Sequence, residues 1–316
     1  MNRRDLMLSL IQDQAVPDTI PAAFFMHFDK ACTQGQAAID KHLEFFRSTG
    51  MDFVKIQYEQ VQPPGLRVRK PQDWAQVPLY DEEFFEPTLR VVAGLVKAAG
   101  NKALVIMTLY SPFMWAAQFD EEADIAAHLQ ENPEAVAKGL AVMTENVLRL
   151  VRGCIRLGVD GFYASTQGGE AFRFADAAIF QKYIKPSDLA VWEAIQPCTF
   201  NILHICDYQG GYAELTPFLD YPGQAVNCSL RLGDQTLTAR EVSRMFGRPF
   251  MGGLERKGVL ATGGPATIRQ AAGRVLADAP ERFILAADCT VPGETPWENL
   301  KTAIETAHQY RKQLAA

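Results

Sequence analysis

Apolar residues along the chain follow two alternating spacings. Short runs rich in β-branched and aromatic residues are followed by longer stretches in which apolar positions recur every three or four residues. The first spacing is typical of buried strands and the second of amphipathic helices, so the sequence predicts parallel strands joined by helical crossovers. Eight runs are predicted as strands: Ala22–His27, Phe53–Tyr58, Ala103–Tyr110, Gly161–Ser165, Thr199–Cys206, Ala225–Leu230, Pro249–Leu254 and Phe283–Ala287.

Helical stretches lie between these strands, and several of them end at a glycine, as helix C-termini commonly do. Eight strand–helix units without a break in composition favour a closed (β/α)₈ TIM barrel, formed by residues 1–316 as a single domain, over an open doubly wound sheet. The sequence has no dinucleotide-binding GxGxxG motif after the first strand and no P-loop motif, so neither of these motifs favours an open sheet. The predicted helices are Gly35–Thr49, Glu86–Ala99, Asn132–Leu157, Ala171–Ile184, Ala239–Met245, Thr267–Ala277 and Thr295–Leu314.

Two segments fall outside this alternation. Residues 3–14 predict a short amphipathic helix before the barrel. Residues 60–81 are rich in proline and charge and have no regular period, which predicts a long loop after the second strand. A loop of this length is either a lid over a site or an insertion without a function.

Composition narrows the classes of partner. Apolar residues make up 48% of the chain, which is enough for a core, and the net charge is −6 without a long basic run. Nucleic acid and membrane surfaces are therefore not expected as partners. The chain has no signal-peptide pattern and only six, widely spaced cysteines, so we expect a cytoplasmic protein rather than a disulfide-stapled secreted one.

The carboxyl ends of the predicted strands carry an imidazole and two thiols. His204 and Cys206 are two residues apart on the fifth strand, so they point to the same side. Cys289 follows the eighth strand, and active sites of such barrels lie at the carboxyl ends of their strands. Two thiolates and one imidazole suit zinc (Zn2+) with a fourth position open to substrate. The alternative is a hydrogen-bonded core histidine with two buried cysteines.

Other polar residues are predicted at the same ends of the strands. Glu255 and Tyr110 are candidates for catalysis, although the first could equally be a solvated loop charge and the second a structural residue. Candidates for lining a substrate pocket are His27, Lys55, Tyr58, Gln167 and Ser229.

The order of short motifs resembles the uroporphyrinogen decarboxylase superfamily, whose members are (β/α)₈ barrels. The resemblance is strongest from Phe200 onward and rests on His204-Ile-Cys206-Asp, Gly252-Gly-Leu-Glu255, Asp288-Cys289 and Thr295-Pro-Trp-Glu-Asn299-Leu.

Two branches of that superfamily imply different functions. The decarboxylase carries an arginine-rich motif after its first strand, which here reads Phe24-Phe-Met-His-Phe-Asp29 without an arginine. The other branch consists of methyltransferases that move a methyl group between a corrinoid protein and a small thiol, and its zinc motif matches His204, Cys206 and Cys289. By this resemblance zinc holds the acceptor as a thiolate. The corrinoid is expected on a separate partner protein, because the Asp-x-His-x-x-Gly pattern of a cobalamin domain does not occur.

One departure from that branch concerns the fourth zinc ligand. Many relatives have an acidic residue at the end of the sixth strand, whereas this chain has Val226-Asn-Cys-Ser229, and Glu255 could substitute for it. Two alternatives to a zinc methyltransferase stay open. One is a metal-free decarboxylase or lyase that uses Asp29, Tyr110 or Tyr163, and the other is a non-catalytic barrel subunit of a corrinoid system.

Overall fold

The strands of the structure lie where most of the short apolar runs predict them. The computed structural model describes residues 2–12, 19–57, 67–118 and 124–310. Its strands are β1 (Phe53–Ile56), β2 (Leu104–Tyr110), β3 (Gly161–Thr166), β4 (Ile202–Ile205), β5 (Ala225–Cys228), β6 (Arg231–Leu232), β7 (Gln235–Thr236), β8 (Phe250–Leu254) and β9 (Phe283–Ala287).

Seven of these strands form one curled sheet in the order β1-β2-β3-β4-β5-β8-β9, and every pair in it is parallel. Almost every strand residue is buried, because helices cover one face and the side chains of the curled interior cover the other. Strands β6 and β7 form a separate antiparallel hairpin.

The first predicted strand, Ala22–His27, is not a regular strand. Ala22 and Met26 make isolated parallel bridges to Leu285 and Val291, on the β9 side. On the other side, the amide of Asp52, next to β1, donates to the carbonyl of Ala22 at 3.0 Å. The segment therefore lies between the two edges of the seven-stranded sheet. A complete eight-stranded barrel stays a prediction.

Most of the predicted helices are present, several with shifted ends, but the helices Pro112–Ala116, Ile125–Glu131, Lys185–Ile195 and Val259–Thr262 were not predicted. Helix α3 (Glu82–Ala99) begins four residues before its predicted start. The carboxylate of Asp81 caps it by accepting a hydrogen bond from the amide of Phe84 at 3.1 Å. The helices are α1 (Arg3–Ile11), α2 (Gly35–Thr49), α3 (Glu82–Ala99), α4 (Pro112–Ala116), α5 (Ile125–Glu131), α6 (Pro133–Arg156), α7 (Lys185–Ile195), α8 (Ala239–Phe246), α9 (Val259–Thr262), α10 (Pro265–Ala277) and α11 (Trp297–Gln309).

The predicted helix over residues 171–184 is wrong. Its first part consists of turns, in which Glu170 accepts from the amide of Gly168 at 2.8 Å and pairs with Arg173 at 2.8 Å. Such local side-chain bonds compete with helix formation. Helical structure begins only at Ala178, and Phe180–Ile184 forms a π-helical turn that leads into α7.

The predicted long loop over residues 60–81 contains a short helix where it is described. Pro71–Gln76 forms a 3₁₀ helix, and Trp74 is fully buried and donates to His128 Nδ1 at 3.1 Å. The amide of Asn146 on α6 bonds to the backbone of both Pro78 and Tyr80. Residues 67–81 are thus anchored to α6, and a lid role for the loop stays a prediction. Residues 60–66 and the end of the predicted 3–14 helix lie outside the described residues.

Within the described parts of the chain, none of the helices has the length and apolar character needed to cross a lipid bilayer.

Candidate metal centre

His204, Cys206 and Cys289 come together at the carboxyl ends of β4 and β9. Their donor atoms all lie within 4.8 Å of one another, and Cys289 Sγ is 3.3 Å from His204 Nε2. Strands β5 and β8 separate β4 from β9 in the sheet, so the three side chains meet only because the sheet curls. They are 2%, 5% and 6% exposed, respectively, which shields the cluster from bulk water.

The two sulfurs of this cluster differ in their affinity for a proton. The Cys206 thiol donates a hydrogen bond to Cys289, which together with burial raises the pKa of Cys206 well above its usual value. The same hydrogen bond, helped by His204 and Arg256, holds the pKa of Cys289 well below its usual value. The sulfurs are therefore arranged to share one proton, which a cation bound to both would release.

The imidazole of His204 is oriented by stacking. Its Nε2 faces Cys289, and its buried Nδ1 has no hydrogen-bond partner among the described residues. A zinc-binding histidine usually donates its second N–H to a carboxylate or carbonyl. Here the ring stacks on Tyr163, with centroids 4.8 Å apart and planes 28° apart. Burial raises the pKa of Tyr163 well above its usual value, so its hydroxyl stays protonated and donates to Asn227 at 2.5 Å.

Asn227 explains why the chain has no acidic residue at the end of β5. Its side-chain NH₂ donates to the carbonyls of Met251 and Ala287 at 2.8 and 3.0 Å, while its oxygen accepts from Tyr163. A carboxylate could not donate to two carbonyls. Asn227 therefore ties β5 to β8 and β9 beneath the cluster and is not a metal ligand.

Two of the predicted site residues contact the cluster. Gln167 is buried, and its side-chain NH₂ donates to Cys206 Sγ at 3.5 Å. Tyr110, at the end of β2, is partly buried and packs with Met114 against the two cysteines. Gln167 can stabilise negative charge on sulfur, and the other two side chains exclude water from it.

An ion-paired arginine that the sequence analysis did not select lies beside the cluster. Arg256 Nη1 donates to Asp207 Oδ1 at 2.7 Å and to Asp288 Oδ2 at 3.0 Å. Each aspartate is the chain neighbour of a candidate ligand, Cys206 or Cys289. In the sequence, the signs of this ion pair were the adjacency of the two aspartates to the cysteines and the position of Arg256 after a predicted strand.

A cavity of about 850 Å³ opens next to this ion pair. Asp207, Arg256 and Asp288 line its side toward the cluster, and the β6–β7 hairpin lines another part of its wall. A cavity of this volume can hold a small organic substrate.

The predicted catalytic residue Glu255 lies at the rim of the cavity. Its side chain is 60% exposed and pairs with Arg231 at 2.5 Å. Among the described residues, the group of possible metal ligands consists of His204, Cys206 and Cys289 and does not include Glu255. The predicted pocket residue Ser229 also lines the cavity, where its hydroxyl accepts from the amide of Arg231 at 3.2 Å.

Three predicted pocket residues remain, namely Lys55, His27 and Tyr58. Lys55 is buried, donates to Gln57 Oε1 at 2.9 Å, and places its ammonium 4.6 Å from the Phe25 ring centre and 4.8 Å from that of Tyr163. His27 is exposed. Tyr58 lies outside the described residues.

A buried carboxyl group lies behind the strand end that carries Gln167. Asp188 on α7 accepts from Thr166 Oγ1 at 2.5 Å and from the Tyr221 hydroxyl at 3.0 Å. Burial raises its pKa to about 7, although these hydrogen bonds act in the opposite direction. Asp188 lies on the same helix face as the buried Val191, Trp192 and Ile195, but no helix was predicted over these residues, so the sequence reasoning missed the group.

We expect Asp188 to make the stability of the protein depend on pH. The raised pKa means that the folded protein binds this proton more tightly than the unfolded chain. The stabilisation that comes from this tighter proton binding is complete below about pH 4 and is lost as the pH rises through about 7. Relative to Asp188→Asn, the free energy of unfolding of the wild type should fall by about 1 kcal/mol per unit between pH 5 and 6.5. Urea unfolding of both proteins measures this, and a difference independent of pH would contradict it.

Solved structures share the fold. A methyltransferase from Methanosarcina mazei is similar over 97% of this chain and 98% of its own, with a TM-score of 0.78 and 13% sequence identity. A B12-independent methionine synthase from Shewanella sp. W3-18-1 is similar over 92% of this chain and 97% of its own, with a TM-score of 0.59 and 11% identity. At such low identity the likeness concerns the fold alone.

The sequence itself matches a known family. No curated protein is similar enough in sequence to count as a match. The model of the uroporphyrinogen decarboxylase (URO-D) family matches residues 48–310, which is well over half of the chain. The resemblance indicated by the motifs is thereby confirmed, and the chain belongs to the uroporphyrinogen decarboxylase family.

Proposed function

We propose that this protein is a zinc-dependent methyltransferase that moves a methyl group from a corrinoid protein to a thiol acceptor. The observation that carries the proposal is the buried convergence of His204, Cys206 and Cys289 at the carboxyl ends of the strands. In parallel barrels these ends carry the chemistry.

The donor set fits zinc. Two thiolates and one imidazole are soft and borderline ligands that favour zinc, and three protein ligands leave a fourth position for substrate. When bound there, zinc would lower the pKa of an incoming thiol so that it reacts as a thiolate near neutral pH.

The surrounding residues have separate tasks in this proposal. The acceptor would enter from the cavity, which is lined by Asp207 and Asp288, the chain neighbours of Cys206 and Cys289. Gln167 donates to Cys206 and so steadies the charge on the sulfur. Tyr110 and Met114 cover the cysteines and keep water away from the thiolates.

The metal-free decarboxylase receives less support from the same contacts. A substrate with many carboxylates needs several cations that are free to bind it. Three cations line the cavity: Arg231 is paired with Glu255, Arg256 is paired with two aspartates, and Lys257 is a single further cation. Tyr163, one of the three residues considered for that reaction, donates its hydroxyl hydrogen bond to Asn227 beneath His204.

Methyl transfer from methylcobalamin to a series of small thiols tests the proposal. We expect thioether formation and loss of the methyl–cobalt absorbance, both abolished by a chelator and restored by zinc. Transfer unaffected by the chelator, or decarboxylation of a porphyrinogen in its presence, would contradict the proposal. Binding of a corrinoid protein without any transfer would favour the non-catalytic subunit instead.

A further inference from the structure

The two candidate thiolate ligands are held by different parts of the sheet. The amide of Cys206 donates to the carbonyl of Thr166 at 3.1 Å, which ties this ligand to β3. The amide of Asp288, the residue before Cys289, donates to the carbonyl of Leu254 at 2.9 Å, which ties the second ligand to β8. Strand β5 lies between these attachments and ends at Cys228. Backbone pairing therefore does not fix the distance between the two sulfurs directly.

Arg256 spans this gap. Its guanidinium bonds to Asp207, next to Cys206, and to Asp288, next to Cys289. Its backbone amide also donates to Asp288 Oδ1 at 2.8 Å, so the aspartate is fixed by two groups of the same residue.

Burial makes this ion pair stronger than one at the surface. The side chains of Arg256, Asp207 and Asp288 are only 11%, 14% and 18% exposed. Ion pairs that are shielded from water and held by charge-assisted hydrogen bonds keep a fixed geometry, whereas exposed pairs contribute little. A metal ion with tetrahedral preference binds most tightly where its ligands are already spaced for it.

We propose that Arg256 is a positioning residue that sets the spacing of Cys206 and Cys289 and thereby the zinc affinity of the site. This inference rests on the proposed function, because it assumes that the three donors hold zinc. Arg256 acts through the aspartates and does not contact the metal.

The test compares zinc affinity in four proteins by competition with a chelating dye: the wild type, Arg256→Gln, Arg256→Lys and Arg4→Gln. Arg256→Gln removes the bridge, and loss of a residue that orients metal ligands typically weakens binding by about 10- to 100-fold. Arg256→Lys keeps the charge and should recover part of the affinity. Arg4→Gln is the matched control, because it breaks a partly buried ion pair with Asp160, which precedes β3 and so lies at the opposite ends of the strands from the ligands. Its affinity for zinc should stay within about twofold of the wild type.

Cobalt substitution supplies a readout that a loss of stability alone would not change. Bound Co²⁺ shows charge-transfer bands from thiolate ligands, and we expect weaker or shifted bands in Arg256→Gln but not in Arg4→Gln. If Arg256→Gln does not fold, Asp207→Asn, which loosens only the Cys206 side, must show the same loss. Wild-type affinity and an unchanged cobalt spectrum in the folded variant would overturn the positioning role. A wild type that binds neither metal would instead overturn the proposed function.

Discussion

Replacing Cys289 with alanine is expected to abolish both zinc binding and methyl transfer. Cys289 supplies the sulfur that lies 3.3 Å from His204 Nε2 and has the lowered pKa. Without it only two of the three donors remain, and affinity should fall by on the order of 100-fold or more, since even residues that only orient ligands contribute 10- to 100-fold. Zinc content of the dialysed protein, measured by mass spectrometry, should fall from about one ion per chain to almost none.

Cys228→Ala is the matched control for this prediction. Cys228 is buried at the end of β5, near the same strand ends, but it is not among the three donors. The variant should keep its zinc. If Cys289→Ala also retains a full equivalent of zinc, the three residues do not form the site.

Replacing Asn227 with leucine is expected to destabilise the protein by about 3–5 kcal/mol. The side chain is fully buried, and leucine has the same number of side-chain heavy atoms branched at the same carbon, so the change leaves no cavity. It removes the donors to the carbonyls of Met251 and Ala287 and the acceptor for Tyr163. Each buried polar group left without a partner costs about 1–3 kcal/mol. Urea unfolding monitored by tryptophan fluorescence measures the change.

Ser229→Ala serves as the comparison for Asn227→Leu. Ser229 lies two residues further along the chain. Among the described residues its hydroxyl accepts a single hydrogen bond, from a backbone amide near the surface. We expect an effect of about 0.5 kcal/mol or less. A loss below about 1 kcal/mol in Asn227→Leu would show that the amide does not hold β5, β8 and β9 together.

The core of the candidate site could be predicted from local sequence rules. Alternation along a strand places His204 and Cys206 on the same side, and the preference of active sites for carboxyl ends of strands adds Cys289. These rules need only the spacing of residues along the chain and the predicted position of each strand. They sufficed because β4 and β9 are short, buried and regular.

Other parts of the site depend on contacts between distant segments, which spacing cannot predict. Arg256 was visible only as a charge after a strand, since its partners Asp207 and Asp288 come from two other strand ends. Glu255 is its chain neighbour, yet it points to the rim and pairs with Arg231 on the β6–β7 hairpin, which the sequence analysis did not predict.

The same limit applies to the fold. The apolar run at Ala22–Met26 has the composition of a strand, but its pairing is reduced to isolated bridges at the edges of the sheet. Trp74, within a stretch that is rich in proline and charge, is buried because the distant helices α5 and α6 cover it. Local composition could not reveal either partner.

X-ray absorption at the zinc edge of the zinc-loaded wild type tests the central claim most directly. The account predicts two sulfur neighbours at about 2.3 Å and at least one nitrogen at about 2.0–2.1 Å. In Cys289→Ala, any residual zinc should have one sulfur neighbour. A zinc ion surrounded only by oxygen and nitrogen, or a wild-type protein that binds no zinc, would contradict the account.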